Sequence, residues 1–176
     1  VPPSITSTST PSVNVPGTYS YTAAASGTPA PTLSVTSGLP TWATFNTTTN
    51  VLSGTPTGAD QGTSAAITIT ATNTVGADAT QVFTIDVNAA PTVTSVAVPT
   101  TGADTILYTH TFISDGFPAA TYSITGLPLT TSNWLAFTPG TGVLTGTPGT
   151  IDVGTTGTIT LTATNSVGSV SEPFTI

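Results

Sequence analysis

The sequence predicts an all-β fold, two stacked-sheet sandwiches in tandem, and three observations predict it. Threonine dominates the chain, apolar and polar residues alternate over short runs, and the second half repeats the first. By count, 45 of the 176 residues are Thr. A β-branched side chain is stiff at χ1 and suits a pleated strand better than a helix. Seventeen Gly and fifteen Pro punctuate the chain, while the helix formers Lys, Arg and Met are absent.

The repeat sets the domain organisation. Gly38-Leu39-Pro40-Thr41-Trp42 is answered by Gly126-Leu127-Pro128 and Trp134. Val51-Leu52-Ser53-Gly54-Thr55-Pro56 is answered by Val143-Leu144-Thr145-Gly146-Thr147-Pro148, and the run from Ile67 to Asn73 by that from Ile159 to Asn165. From Trp42 to Asn73 the offset is a constant 92; Phe83-Thr84-Ile85 then matches Phe174-Thr175-Ile176 at 91. Two domains follow, residues 1–88 and 89–176, joined by a short linker ending at Pro91. The second copy carries extra residues between Leu129 and Asn133, and its final strand reads as truncated at Ile176.

Within each copy the period-two pattern marks strands with one buried face. Ile67, Ile69 and Ala71 share a face, as do Ile159, Leu161 and Ala163, and Phe83, Ile85 and Val87. Tyr19 with Tyr21 is matched by Tyr108, His110 and Phe112; Leu33 with Val35 is matched by Tyr122 and Ile124. Val51-Leu52 and Val143-Leu144 follow turn-rich stretches and read as hairpin strands. Asn73-Thr74-Val75-Gly76 and Asn165-Ser166-Val167-Gly168 read as turns joining the last two strands. About seven short strands per copy result.

The charge pattern excludes several functions. A formal net charge of −7 with no Lys or Arg removes the usual electrostatic means of holding nucleic acid or an anionic membrane surface. No apolar run approaches the roughly 20 residues that a membrane-spanning helix needs. The absence of Cys excludes disulfides and thiolate metal sites. With no basic residue to open a secretory signal, the chain reads as a mature or excised segment.

The motifs Tyr19-Ser20-Tyr21-Thr22, Gly38-Leu39-Pro40, Leu52-Ser53-Gly54-Thr55-Pro56 and Thr70-Ala71-Thr72-Asn73 ahead of Phe83-Thr84-Ile85 carry a resemblance. With the run from Ala25 to Leu33, they make the chain similar to the bacterial putative-Ig repeat family, related to dystroglycan-type and cadherin-like domains. The resemblance implies two immunoglobulin-like, cadherin-like Greek-key sandwiches of the kind strung together in secreted and surface proteins. It brings no catalytic residues with it.

Candidate sites are weighed against plain structural roles. His110 occupies the place of Tyr21 and reads as a replaced aromatic, not as a base beside Ser and Asp. Asp60 and Asp152 occupy equivalent turns, where an Asp usually bonds local backbone N–H groups. Glycoside hydrolysis needs two carboxylates across a cleft, and Asp78, Asp104 and Glu172 show no such pairing. The segment Asp86-Val87-Asn88-Ala89-Ala90-Pro91 resembles a cadherin calcium linker whose second acidic ligand has become Ala. Asp86, Asn88 and Asp115 are thus the calcium candidates, fewer than the six to eight oxygens the ion prefers. Trp42 and Trp134 read as core anchors, with a sugar-stacking platform as the rival. Asn46-Thr47-Thr48 is a formal glycosylation sequon.

The expectation is therefore a non-enzymatic, extracellular, structural or adhesive module of a stalk, adhesin or filament, needing no cofactor. Its expected partners are copies of itself, neighbouring immunoglobulin-like repeats and surface glycans, with no nucleic acid and no membrane insertion. The edge at Phe174, Thr175 and Ile176 is a candidate acceptor for a strand from a neighbouring subunit, with residues 4–12 as donor. The alternatives are a carbohydrate-binding accessory module of a polysaccharide-degrading enzyme and a virion decoration or tail domain.

Overall fold

The computed structural model describes residues 1–128 and 133–176, so most of the insertion expected between Leu129 and Asn133 lies outside the described residues. The chain divides into two compact units, Val1–Ala89 and Ala90–Ile176. Apart from two single-turn 3₁₀ segments, Gly58–Asp60 and Thr150–Asp152, every regular element described is a strand.

The first unit contains β1 (Ser4–Ile5), β2 (Ser12–Asn14), β3 (Tyr19–Thr22), β4 (Ala25–Ser26), β5 (Thr32–Ser37) and β6 (Ala43–Asn46). It continues with β7 (Val51–Gly54), β8 (Gly62–Thr63), β9 (Ile67–Thr72), β10 (Ala79–Phe83) and β11 (Asp86–Asn88). One sheet runs β3-β7-β6 and the other β10-β9-β5, with β1-β4 and β2-β11-β8 as smaller pieces. Their inner faces supply Tyr19, Tyr21, Leu33, Leu52, Ile67 and Ile69 to one core, joined by Ile85 just past β10. In β9, Ile67, Ile69 and Ala71 are buried while the intervening threonines are only half-covered, which is the expected alternation.

The second unit repeats this frame with β12 (Tyr108–Thr111), β13 (Thr121–Thr125), β14 (Leu135–Thr138), β15 (Val143–Gly146), β16 (Ile159–Thr164) and β17 (Ser169–Phe174). Its sheets run β12-β15-β14 and β13-β16-β17. Phe112, Leu144, Ile159 and Leu161 head its separate core. A single bridge, Val93 to Ser114, stands where β1 pairs with β4 in the first unit.

The Leu-Ser/Thr-Gly-Thr-Pro motif has a packing reason. Gly54 ends the central strand β7 and is paired with Tyr19 on one side and Ala43 on the other. A Cβ there would run into the Trp42 carbonyl oxygen and, at 2.9 Å, the indole Cε3. Gly146 repeats the arrangement against the Trp134 carbonyl. Only glycine lets the backbone and the indole approach so closely.

Candidate functional site

Trp42 and Trp134 stand at equivalent places, each half-buried and packed on the core of its own unit. The Trp42 ring meets Tyr19 edge-on with centroids 6.0 Å apart, and Trp134 meets Tyr108 at 6.1 Å. Edge-to-face pairs of this kind are favoured by the ring quadrupoles. Each indole also lines a cleft at one end of its sandwich: Trp42 beside Leu39, Pro40 and Val87, Trp134 beside Pro148, Val153 and Ile176.

The two clefts are framed by equivalent segments. In the first unit β11 lies between two neighbours, parallel to β2 with Val87 opposite Val13, and antiparallel to β8 with Val87 opposite Gly62. Val87 is buried there. The hydroxyl of Tyr19 donates to the Thr10 carbonyl at 2.9 Å, and that of Tyr108 to the Pro99 carbonyl at 2.9 Å, which aligns β2 with residues 101–103. Ile85 and Ser64 exchange hydrogen bonds at 2.9 Å; Ile176 and Thr156 do the same at 2.8 and 2.9 Å, which aligns β8 with residues 154–155. The expected edge residues Phe174 and Ile176 are packed on the core of the second unit.

The flank of the second unit's cleft is apolar. Ile106, Leu107, Ile151 and Val153 are exposed, the last two at 72% and 84%. The first unit has Gly17, Thr18, Ala59 and Gln61 at the same places. The expected donor, residues 4–12, is engaged in its own unit: Ser4 and Ile5 pair with Ser26 and Ala25, and the Pro11 carbonyl accepts from Asp86 N–H.

Four of the carboxylates are tied up locally. Asp60 Oδ2 accepts from the Thr57 N–H and hydroxyl, both at 2.8 Å, and these bonds hold its carboxyl below the usual carboxylate range. Asp152 Oδ2 takes the Gly149 N–H at 2.8 Å in the equivalent turn. Asp115 Oδ1 accepts from the Thr92 hydroxyl at 2.6 Å and N–H at 2.8 Å, which lowers its pKa in the same way. Asp86 accepts from Thr63 at 2.6 Å, and Asn88 donates to Asn14 at 3.0 Å. No cluster of three or more metal-ligating side chains occurs among the described residues. Asn46 lies exposed, its Oδ1 accepting from Thr48 N–H at 2.9 Å.

His110 sits on β12 opposite Leu144, is 6% exposed, and meets Phe112 edge-on at 4.6 Å. Burial holds its pKa below the ordinary histidine value, with Glu172 pulling the other way. Glu172 on β17 was weighed from the sequence only as an isolated carboxylate; pairing of β16 with β17 brings it to this side of the core. The offset between copies slips from 92 to 91 before Phe174, and that slip hid its equivalence to Gln81.

The Putative Ig domain family model matches residues 2–88. The first unit belongs to that family. The second Ig unit repeats its motifs, as set out above. No curated protein matches the chain significantly. Among solved structures, immunoglobulin domains 1–4 of Sidekick-1 superpose with a TM-score of 0.65 at 17% identity, over 98% of this chain and 48% of that one. The N-terminal four Ig domains of Dscam1 give 0.65 at 15% identity, over 99% and 45%. A three-Ig titin fragment gives 0.64 at 17% identity, over 98% and 64%. The chain thus spans between about half and two-thirds of those chains, and at such identities the likeness is one of fold.

Proposed function

We propose that the chain is an extracellular structural module of an adhesive stalk or filament, without catalytic activity, whose second Ig unit meets a neighbouring copy through an apolar rim. The observation that carries this is the contrast within one molecule. Ile106, Leu107, Ile151 and Val153 are exposed on the second unit, where the first has Gly17, Thr18, Ala59 and Gln61. Apolar surface grouped in this way favours burial against a second copy. Strand exchange is the finer form of such a contact, since an added strand supplies ladder hydrogen bonds. Since residues 4–12 already pair within their own unit, their use as donor means swapping them out of it.

Sedimentation and electron microscopy across a concentration series test this. End-to-end assembly is expected, weakened when Ile151→Ala and Val153→Gln install the first unit's residues. A wild-type chain that stays monomeric when concentrated, with both units folded, would defeat the reading. Glycan binding is the second reading, favoured by the cleft face of each indole. It requires glycan-dependent quenching of Trp42 or Trp134 fluorescence.

A further inference from the structure

In the first unit Ser7, Tyr21 and Gln81 close a hydrogen-bonded network. The Tyr21 hydroxyl donates to Gln81 Oε1 at 2.6 Å and lies 2.6 Å from Ser7 Oγ, while Gln81 Nε2 donates to the Ser7 carbonyl at 2.9 Å. Strand register carries the three positions onto the second unit. Tyr21 stands opposite Leu52 as His110 stands opposite Leu144. Gln81 faces Ile69 as Glu172 faces Leu161. Ser7 comes two residues after Ile5, which pairs with Ala25; Ser95 comes two after Val93, which pairs with Ser114. Ser–Tyr–Gln has become Ser95–His110–Glu172.

The buried side-chain polar atoms without a hydrogen-bond partner among the described residues are Ser95 Oγ, His110 Nε2 and Glu172 Oε2. They fall on these three positions. An imidazole is shorter than a phenol, so the exchange withdraws the hydroxyl that the two neighbours bonded in the first unit. Buried polar groups are satisfied in native proteins, by ordered water where no side chain reaches.

We propose that the second unit binds one buried water molecule between Ser95 Oγ, His110 Nε2 and Glu172 Oε2, at the place the Tyr21 hydroxyl takes in the first. Three partners is the usual number for a buried water. The hydrogen bonds balance: the water donates one O–H to the Glu172 carboxylate and one to the Nε2 lone pair of a neutral imidazole, and accepts the Ser95 O–H. His110 is then the Nδ1–H tautomer. The trio has the composition of a hydrolytic triad, but none of the clefts described above is lined by it, so a substrate carbonyl has no path to Ser95 through them.

The site makes the second unit the half that responds to acid in the histidine range. The charged group facing His110 is Glu172 from β17; Ser95 comes from the segment before β12, and Leu144 and Phe112 bring no charge. Protonation turns Nε2 from acceptor to donor and breaks the water's bonding pattern. Because burial lowers the folded-state pKa, the unfolded chain takes up the proton first. Stability is therefore full above about pH 6.5 and declines as the pH falls through the window below it.

The whole chain serves for the test, since His110 is its only histidine and its ring resonances stand alone. A high-resolution crystal structure is expected to show one water within hydrogen-bond distance of all three atoms. NMR is expected to show the Nδ1–H tautomer with a titration midpoint below about 6.5. Acidification from about pH 7 to 5, the histidine range, is expected to lower the melting midpoint of the second unit. The double variant His110→Tyr, Glu172→Gln, which installs the first unit's pair, is expected to lose that dependence. If that variant fails to fold, density and titration decide alone. An empty void, a metal ion held at the three atoms, or a His110 titrating like a free histidine overturns the proposal.

Discussion

Tyr21 and Gly146 show how much a single side chain, or the lack of one, decides in this molecule. Tyr21 is 4% exposed and bonds both Ser7 and Gln81. Tyr21→Phe keeps the ring against Phe83, 5.6 Å away, but leaves the half-buried Gln81 Oε1 without its donor, while Ser7 Oγ keeps the Ala24 N–H. A loss of about 0.5–1.5 kcal/mol, the usual net worth of a hydrogen bond, is expected from denaturant unfolding of the first unit. Gly146→Ala acts through volume, since the new methyl meets the Trp134 carbonyl, a backbone atom with little freedom to move. A destabilisation of about 1–3 kcal/mol, the usual range for overpacking, is expected in the second unit with its partner unit unchanged. The glycine and its tryptophan were readable from the repeat as a motif. The Ser7–Tyr21–Gln81 network was not, because its members lie on three segments whose offsets to the second copy are 88, 89 and 91.

At the level of elements, the strands readable in the sequence are those long enough to alternate. β9 and β16 announce themselves through Ile67-Thr68-Ile69 and Ile159-Thr160-Leu161, where a buried and a half-covered face recur for three periods. β1, β2, β4, β8 and β11 have two or three residues each and offer no period to count. Their pairing follows from tertiary closure, and the parallel match of β2 with β11 depends on residues more than seventy positions apart. Val87 is the pivot of this small sheet, buried between Val13 and Gly62. Val87→Ala is expected to cost the first unit about 1–3 kcal/mol from lost apolar burial, read from chemical denaturation. Its effect is expected to exceed that of Val82→Ala, since Val82 lies 62% exposed on β10.

Across the whole molecule, seven carboxylates face no Lys or Arg, so hydroxyls and backbone N–H groups stand in for basic side chains as partners. The chain uses them so. Asp86 is held by Thr63, Asp115 by Thr92 and Asp60 by Thr57, each through a hydroxyl that the threonine-rich composition places nearby. A calcium ion needs six to eight oxygens, with several carboxylates free to turn toward it. Here Asp86 and Asp115 would each have to abandon a bond of 2.6 Å, and Asn88 its bond to Asn14, to supply only part of that shell. Differential scanning calorimetry should therefore give the same melting profile in excess calcium and in excess chelator. Any ligand that binds only the folded state raises the midpoint in proportion to the logarithm of its concentration. A midpoint that climbs steadily with calcium would mean that Asp86, Asn88 and Asp115 are drawn together into a site, and that their threonine bonds are the weaker claim on them.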